Sequence, residues 1–105
     1  MMNFPPKLSQ MTELLEKLVL KGGVIVIDPE STWISPKVRI GRGTVIYPNS
    51  YLIGDEASVI GENCEIGPNS FLRDWFQIGN GVKIGFNAEV VRSCVIDRTK
   101  PHGDF

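Results

Sequence analysis

The chain has 105 residues and a formal net charge of −1, and it contains one histidine and two cysteines. A chain of this length suits one domain with a modest core, so we expect copies to associate. The balanced charge gives no electrostatic reason for binding to nucleic acid or to an anionic membrane. No apolar stretch approaches the roughly 20 residues of a membrane-spanning helix. Because the N-terminal segment also lacks the basic and apolar regions of a signal peptide, we expect a cytoplasmic protein.

Residues 1–23 predict a lead-in followed by a helix. Residues 1–6 contain two adjacent prolines, which cannot continue a helix interior. From about Ser9 to Lys21, apolar residues recur at spacings of three and four, and a glycine pair then follows. We interpret this helix as a cap over the domain that comes after it; an oligomerisation or partner helix is the alternative.

A six-residue period dominates the second domain, which we place at residues 24–105. The run at residues 24–27 is β-branched and predicts an entering strand. A branched aliphatic residue then recurs every six residues, with one two-residue insertion, at Ile34, Ile40, Ile46, Leu52, Ile60, Ile66, Leu72, Ile78, Ile84, Val90 and Ile96. Glycine or asparagine stands three residues later at Gly43, Asn49, Asn63, Asn69, Gly81 and Asn87. A period held over more than sixty residues indicates a repeat architecture.

The period has a physical interpretation as a coil of three short strands and three corners. The aliphatic residue, and the small residue two positions before the next aliphatic one, point inward because alternate side chains share a face. Glycine and asparagine tolerate the positive φ of a sharp corner. Stacked coils would align the aliphatic residues in three columns, Ile34/Leu52/Leu72/Val90, Ile40/Ile60/Ile78/Ile96 and Ile46/Ile66/Ile84. The insertion at residues 54–57 would bulge outward at a corner.

Two segments break the repeat. Residues 73–76 place two aromatic side chains where a corner residue and a small residue are expected, and residues 91–93 lack the glycine. Such departures are candidate functional positions, and a wider corner that packs its own aromatic side chains is the alternative. Cys64 and Cys94 both fall on the small inward position, so we expect two buried, reduced thiols.

The repeat resembles that of the hexapeptide-repeat, left-handed parallel β-helix proteins. Residues 23–29, 46–49 and 60–70 are most similar to the acetyltransferase half of bifunctional N-acetylglucosamine-1-phosphate uridyltransferases and related sugar-phosphate nucleotidyltransferases. The resemblance implies an all-β fold, a single-stranded left-handed parallel β-helix of about four coils with an N-terminal capping α-helix. The recognition elements of the uridyl-transferring half are absent, so uridyl transfer is not expected.

The same resemblance implies a function and a set of site residues. It implies a homotrimer that binds acetyl-CoA along grooves between neighbouring prisms and acetylates an amino sugar phosphate. Arg73 matches a basic residue that contacts the sugar phosphate, and Arg92 lies near the position of a substrate-binding lysine. Lys100 and His102 resemble the segment with the catalytic histidine. A histidine of near-neutral pKa suits the role of taking a proton from the attacking amine.

Two hypotheses remain open at this point. The family pattern continues beyond the histidine with further coils, so we expect impaired or no acyltransferase activity from this chain alone. The alternative is a non-catalytic trimeric scaffold or binding module. The hexapeptide-repeat γ-type carbonic anhydrases need three histidines around zinc, and this chain has one, so no metal is expected.

Overall fold

The computed structural model describes residues 4–95 of the chain. Parallel strands wind into a solenoid of about four coils, with helical turns near the N-terminus and at Pro29–Ser31. The strands are β1 (Ile25–Val26), β2 (Thr32–Ile34), β3 (Arg39–Ile40), β4 (Val45–Ile46), β5 (Ser50–Gly54), β6 (Val59–Ile60), β7 (Glu65–Ile66), β8 (Phe71–Ile78), β9 (Lys83–Ile84) and β10 (Glu89–Val95). The predicted parallel β-helix is therefore confirmed.

The N-terminal helical segment covers one end of the solenoid. It consists of a 3-10 turn at Leu8–Gln10, an α-helix, α1, at Thr12–Glu16, and a π-helical turn at Lys17–Lys21. Its leucines Leu8, Leu14 and Leu18 are buried in the same apolar core as the strands. The predicted capping helix is confirmed, and the glycine pair ends it as expected, with Gly23 at a φ of 69°.

The strands build three faces of a prism. The first face contains β1, β4, β7 and β9 in that order. On the second face β2, β5 and the N-terminal part of β8 stack, and on the third face β3, β6 and the C-terminal part of β8 stack. β10 pairs with both parts of β8, so these two strands run through the corner between the second and third faces.

Aliphatic side chains fill the interior in three columns. These columns match the predicted ones except for Ile96, the last member of one column. The strand register aligns Ile34/Leu52/Leu72/Val90, Ile46/Ile66/Ile84 and Ile40/Ile60/Ile78. Val26 of the entering strand pairs with Ile46 and so extends the second of these columns. The burial of these stacked side chains is the main source of stability in such a coil.

All six predicted corner residues have a left-handed backbone. Gly43, Asn49, Asn63, Asn69, Gly81 and Asn87 have φ values between 56° and 82°. Their alternation with two-residue strands explains the six-residue period, because each strand must end at a sharp turn before the next face begins.

Buried polar side chains support the corners from inside the prism. Thr44 Oγ1 donates a hydrogen bond to the carbonyl oxygen of Gly61 at 2.8 Å, and Cys64 Sγ contacts the carbonyl oxygen of Gly79 at 3.0 Å. These small inward residues satisfy carbonyl groups of the next coil, which have no partner within their own corner. Small polar side chains therefore share the interior with the aliphatic columns, as the inward position of the small residues predicts.

The two-residue insertion lies on an outward corner, as predicted. Residues 55–57 are exposed, and the Ser58 amide donates to the Asp55 carbonyl at 3.0 Å to close the turn. Phe76 of the following coil is fully buried beneath this corner, where a Cβ on Gly54 would lie 2.9 Å from its ring. Its large side chain replaces the small inward residue of other coils, so the interpretation as a wider corner that packs an aromatic side chain holds for Phe76.

The last coil differs from the prediction by one residue. Val95, not Ile96, pairs with Ile78, because the register shifts between Val91 and Ser93. The corner before Ser93 is one residue shorter than the equivalent corner before Phe76. Ile96 itself lies outside the described residues.

The register shift also reverses the side to which Cys94 points. Cys94 pairs with Gln77, its thiol lies 3.3 Å from the Gln77 side-chain oxygen, and the residue is exposed. The expectation of two buried thiols is therefore correct for Cys64, which is 1% exposed, and wrong for Cys94.

The corner geometry makes Gly43→Ala destabilising. The φ of Gly43 is 82°, and an added Cβ would collide with the Asn63 side chain. We expect a loss of about 1–2 kcal/mol in the free energy of unfolding from the left-handed conformation alone, measured by urea unfolding. Gly85→Ala is the matched control, because no heavy atom lies within 4 Å of its added Cβ. Equal losses in the two variants would contradict the corner model.

The two cysteines should react at different rates with a thiol reagent. In the native protein we expect one equivalent to react quickly at Cys94, because Cys64 is buried in the prism. The second equivalent should react only when denaturant is added. Mass spectrometry of the singly labelled protein identifies the site, and rapid native labelling of Cys64 would show that the inward assignment is wrong.

Candidate functional site

Arg73 projects from the second face next to the corner formed by β8. It follows the inward-pointing Leu72 in β8, so its side chain faces outward by strand alternation. Its guanidinium is about one-third exposed, and its Nε donates to Glu89 Oε2 at 3.2 Å. Glu89 stands in the adjacent coil, on β10, where it pairs with Phe71.

Asp74 and Arg92 form the corners of two successive coils. Both have a left-handed backbone, with φ values of 70° and 46°. Aspartate tolerates this conformation better than most residues, whereas for arginine it is uncommon. The corners stack, so two residues far apart in sequence come within contact distance.

The two arginines meet at a single oxygen atom. Arg92 Nη1 lies 2.7 Å from Asp74 Oδ2, and Arg73 Nη1 lies 3.5 Å from the same atom. We call Arg73, Asp74, Glu89 and Arg92 the arginine cluster. Two guanidinium groups that converge on one oxygen form the arrangement that binds carboxylate or phosphate groups in proteins.

The arginine cluster is open to solvent and electrically balanced. The side chains of Arg73 and Asp74 are each 32% exposed, and those of Arg92 and Glu89 are 64% and 61% exposed. Two positive and two negative side chains give the cluster no net charge. Single exposed ion pairs typically contribute about 0–1 kcal/mol to stability, and pairs that share partners in a network contribute more.

A column of stacked aromatic rings leads along the second face to the arginine cluster. Trp33 stacks on Tyr51 with ring centroids 4.5 Å apart, and Tyr51 stacks on Phe71 at 5.3 Å. Phe4 packs against Tyr51 and Phe71 from the N-terminal segment. Glu89 takes the next place in this column, because it pairs with Phe71, so the aromatic stack lies directly beside the arginine cluster.

Two of the four predicted site residues fall within residues 4–95, which the structure describes, and these two lie close together. Arg73 and Arg92 lie in one cluster, which agrees with their assignment to a common substrate-binding role but does not test that role. Lys100 and His102 lie outside the described residues, so the assignment of His102 as the catalytic base stays a prediction.

Sequence reasoning missed the two acidic members of the cluster. Asp74 belongs to a segment that was recognised as a break in the repeat, and its place beside Arg73 was the available signal. Glu89 carries no such signal, because it occupies an ordinary outward position before Val90. Its contact with Arg73 follows only from the coil register.

The part of the chain that the structure describes contains neither a group of potential metal ligands nor a membrane-spanning helix. Among residues 4–95, no three histidine, cysteine or acidic side chains lie close enough together to hold a metal ion. No helix in this part of the chain has the length and apolar character needed to cross a bilayer.

Known proteins that are similar in sequence to this chain also contain a six-residue repeat. Residues 57–92, which include the whole arginine cluster, match the family described as bacterial transferase hexapeptide (six repeats). Three proteins named bifunctional protein GlmU illustrate the relatives. The one from Geobacillus sp. is 41% identical over 90% of this chain, that from Fervidobacterium nodosum 46% over 78%, and that from Thermotoga maritima 44% over 75%.

The chain is much shorter than these relatives. It spans 24% of the Geobacillus protein and 17% of each of the other two. Residues 57–92 therefore carry the hexapeptide repeat of the bacterial transferase family, and most of the chain is similar in sequence to one part of the GlmU proteins.

Proposed function

We propose that this chain is an acyltransferase-type hexapeptide domain whose arginine cluster binds the phosphate group of an amino sugar phosphate. The convergence of Arg73 and Arg92 on Asp74 Oδ2 is the observation that carries this proposal. A phosphate oxygen placed where Oδ2 now lies would accept a hydrogen bond from Arg92 and form an ion pair with Arg73. The family match and the relation to GlmU favour acetyl-CoA as the acyl donor.

The proposed chemistry is acetyl transfer from a thioester to an amine. The amine nitrogen attacks the thioester carbonyl carbon, a C–N bond forms, and the C–S bond breaks with release of the coenzyme thiolate. His102 takes the proton that the amine loses. Lys100 is assigned to the same substrate-binding role as the two arginines. Arg73 and Arg92 hold the acceptor in place, and such positioning is a large part of the rate of a two-substrate reaction.

Ligand binding is the direct test of the proposed enzyme. Millimolar acetyl-CoA, and separately an amino sugar 1-phosphate, should raise the melting temperature, because a ligand at a hundred times its Kd stabilises the native state by about 2.7 kcal/mol. Arg73→Ala and Arg92→Ala should each weaken sugar-phosphate binding at least about tenfold, since charge-assisted hydrogen bonds contribute roughly 1.5–3 kcal/mol.

Lys37→Ala is the control for a non-specific charge effect. Lys37 is exposed and pairs with Glu56 at 3.2 Å, at a corner outside the arginine cluster. The Lys37→Ala variant should bind the sugar phosphate with the same affinity as the wild-type chain. Absence of stabilisation by acetyl-CoA would exclude the enzyme and leave the non-catalytic scaffold. An unchanged sugar-phosphate affinity in both arginine variants would refute the assigned site.

We also propose that the chain forms a homotrimer in the cytoplasm, with its interface at the helix and first face. Leu15, Val19, Leu20 and Val26 contribute to the lining of an apolar groove of about 370 Å³. Near it, the exposed fractions of Leu20, Ile25 and Ile27 are 76%, 50% and 51%. A cluster of exposed apolar side chains of this size is typical of a protein interface.

The proposed interface predicts that Leu20→Glu weakens association. Sedimentation equilibrium should give three times the 11.7 kDa chain mass for the wild-type protein. Leu20→Glu should weaken association at least about tenfold, because a carboxylate buried without a partner is strongly unfavourable. Phe86→Glu is the matched control, an exposed apolar residue outside the groove. A monomeric wild-type protein, or dissociation by Phe86→Glu alone, would contradict this interface.

A further inference from the structure

We infer that Asp74 is an internal competitor for the anion site and sets its selectivity among anions. Its carboxylate occupies the guanidinium groups of Arg73 and Arg92, which a bound phosphate would need. This inference rests on the proposed function and assigns a specificity-determining role to a residue that does not itself bind the anion.

The contacts show how completely Asp74 engages the arginines. Its Oδ2 atom is 2.7 Å from Arg92 Nη1 and 3.5 Å from Arg73 Nη1. The second carboxylate, Glu89, accepts from the Nε of Arg73 at 3.2 Å. Each arginine therefore has a carboxylate partner before any ligand arrives, and an anion must displace at least the Asp74 contact in order to bind both.

The backbone holds Asp74 in this competing position. Asp74 lies within β8, which pairs with β5 on one side and with β10 on the other. The left-handed conformation at Asp74, and at Arg92 in the next corner, fixes the two side chains on the same corner of the prism. An intramolecular carboxylate loses no translational freedom when it binds, so it competes effectively with a dissolved ligand.

The charge balance of the cluster makes the competition selective. With Asp74 and Glu89 ionised, the cluster has no net charge and attracts a distant anion weakly. Any anion that binds both arginines must displace the Asp74 carboxylate, which remains on the same corner of the prism. A phosphate dianion carries twice the charge of a carboxylate, so the displaced Asp74 repels it more strongly. Asp74 therefore disfavours phosphate dianions relative to carboxylates.

Asp74→Asn isolates this role. The substitution removes one negative charge and keeps nearly the same shape, and asparagine tolerates the left-handed conformation of the corner. Asp55→Asn is the matched control, because Asp55 is another exposed corner aspartate whose carboxylate accepts from the Ala57 amide at 2.9 Å. Circular dichroism and thermal unfolding would show that both variants keep the fold.

Calorimetric titration with inorganic phosphate and with acetate measures the effect on the full chain. Asp74→Asn should bind phosphate at least about fivefold tighter than wild type, since about fivefold is the effect of removing one unit charge about 4 Å from a singly charged anion in water. Its preference for phosphate over acetate should rise, because acetate carries less charge and gains less, and Asp55→Asn should match wild type on both counts. Arg73→Ala and Arg92→Ala should lose phosphate binding.

The outcomes separate this inference from the proposed function. Phosphate binding to wild type that is lost in the arginine variants, but not tightened in Asp74→Asn, would overturn the role of Asp74 and leave the anion site intact. Phosphate binding that survives in the arginine variants would overturn the anion site and, with it, the competitor. No phosphate binding to either wild type or Asp74→Asn would also refute both.

Discussion

The parallel pairing of each coil with the next is the constraint on which the structure depends. A strand of two residues cannot satisfy its own backbone groups, so its amide and carbonyl groups must bond to the coils on either side. This pairing holds equivalent residues of successive coils in register. Aliphatic residues consequently stack on aliphatic residues, as Ile46, Ile66 and Ile84 do, and corners stack on corners. The same register that builds the core also determines which surface side chains meet.

The arginine cluster lies where the corners depart from the regular repeat. Six other corners use glycine or asparagine for the left-handed conformation, but Asp74 and Arg92 adopt it at the corner between the second and third faces. The shorter corner of the last coil shifts the register at Arg92 and brings its guanidinium to Asp74. Charged side chains at stacked corners can therefore form a compact group without a long loop. A solenoid can present a binding site in this way while its interior continues almost unchanged.

The sequence predicted the structure best at positions where the conformation or the packing favours one kind of residue. Three aliphatic columns and six left-handed corners were predicted residue by residue, because Ile66 or Asn63 has an evident role in a tight coil. The assignment failed at Val95 and Cys94, because no residue type marks the loss of one corner residue. The contact of both Arg73 and Arg92 with Asp74 followed only from the structure. Contacts between coils depend on the strand register and on the φ of Asp74, which the residue types do not reveal. His102 and Lys100 stay predictions from the resemblance alone.

We propose that Arg73 and Arg92 act together as an anion site, and a crystal structure of the wild-type protein grown with inorganic phosphate would reveal it. We expect a phosphate within hydrogen-bond distance of both guanidinium groups and the Asp74 carboxylate turned away from them. A structure in which both arginines remain on Asp74, with phosphate bound elsewhere or absent at saturating concentration, would rule out this anion site.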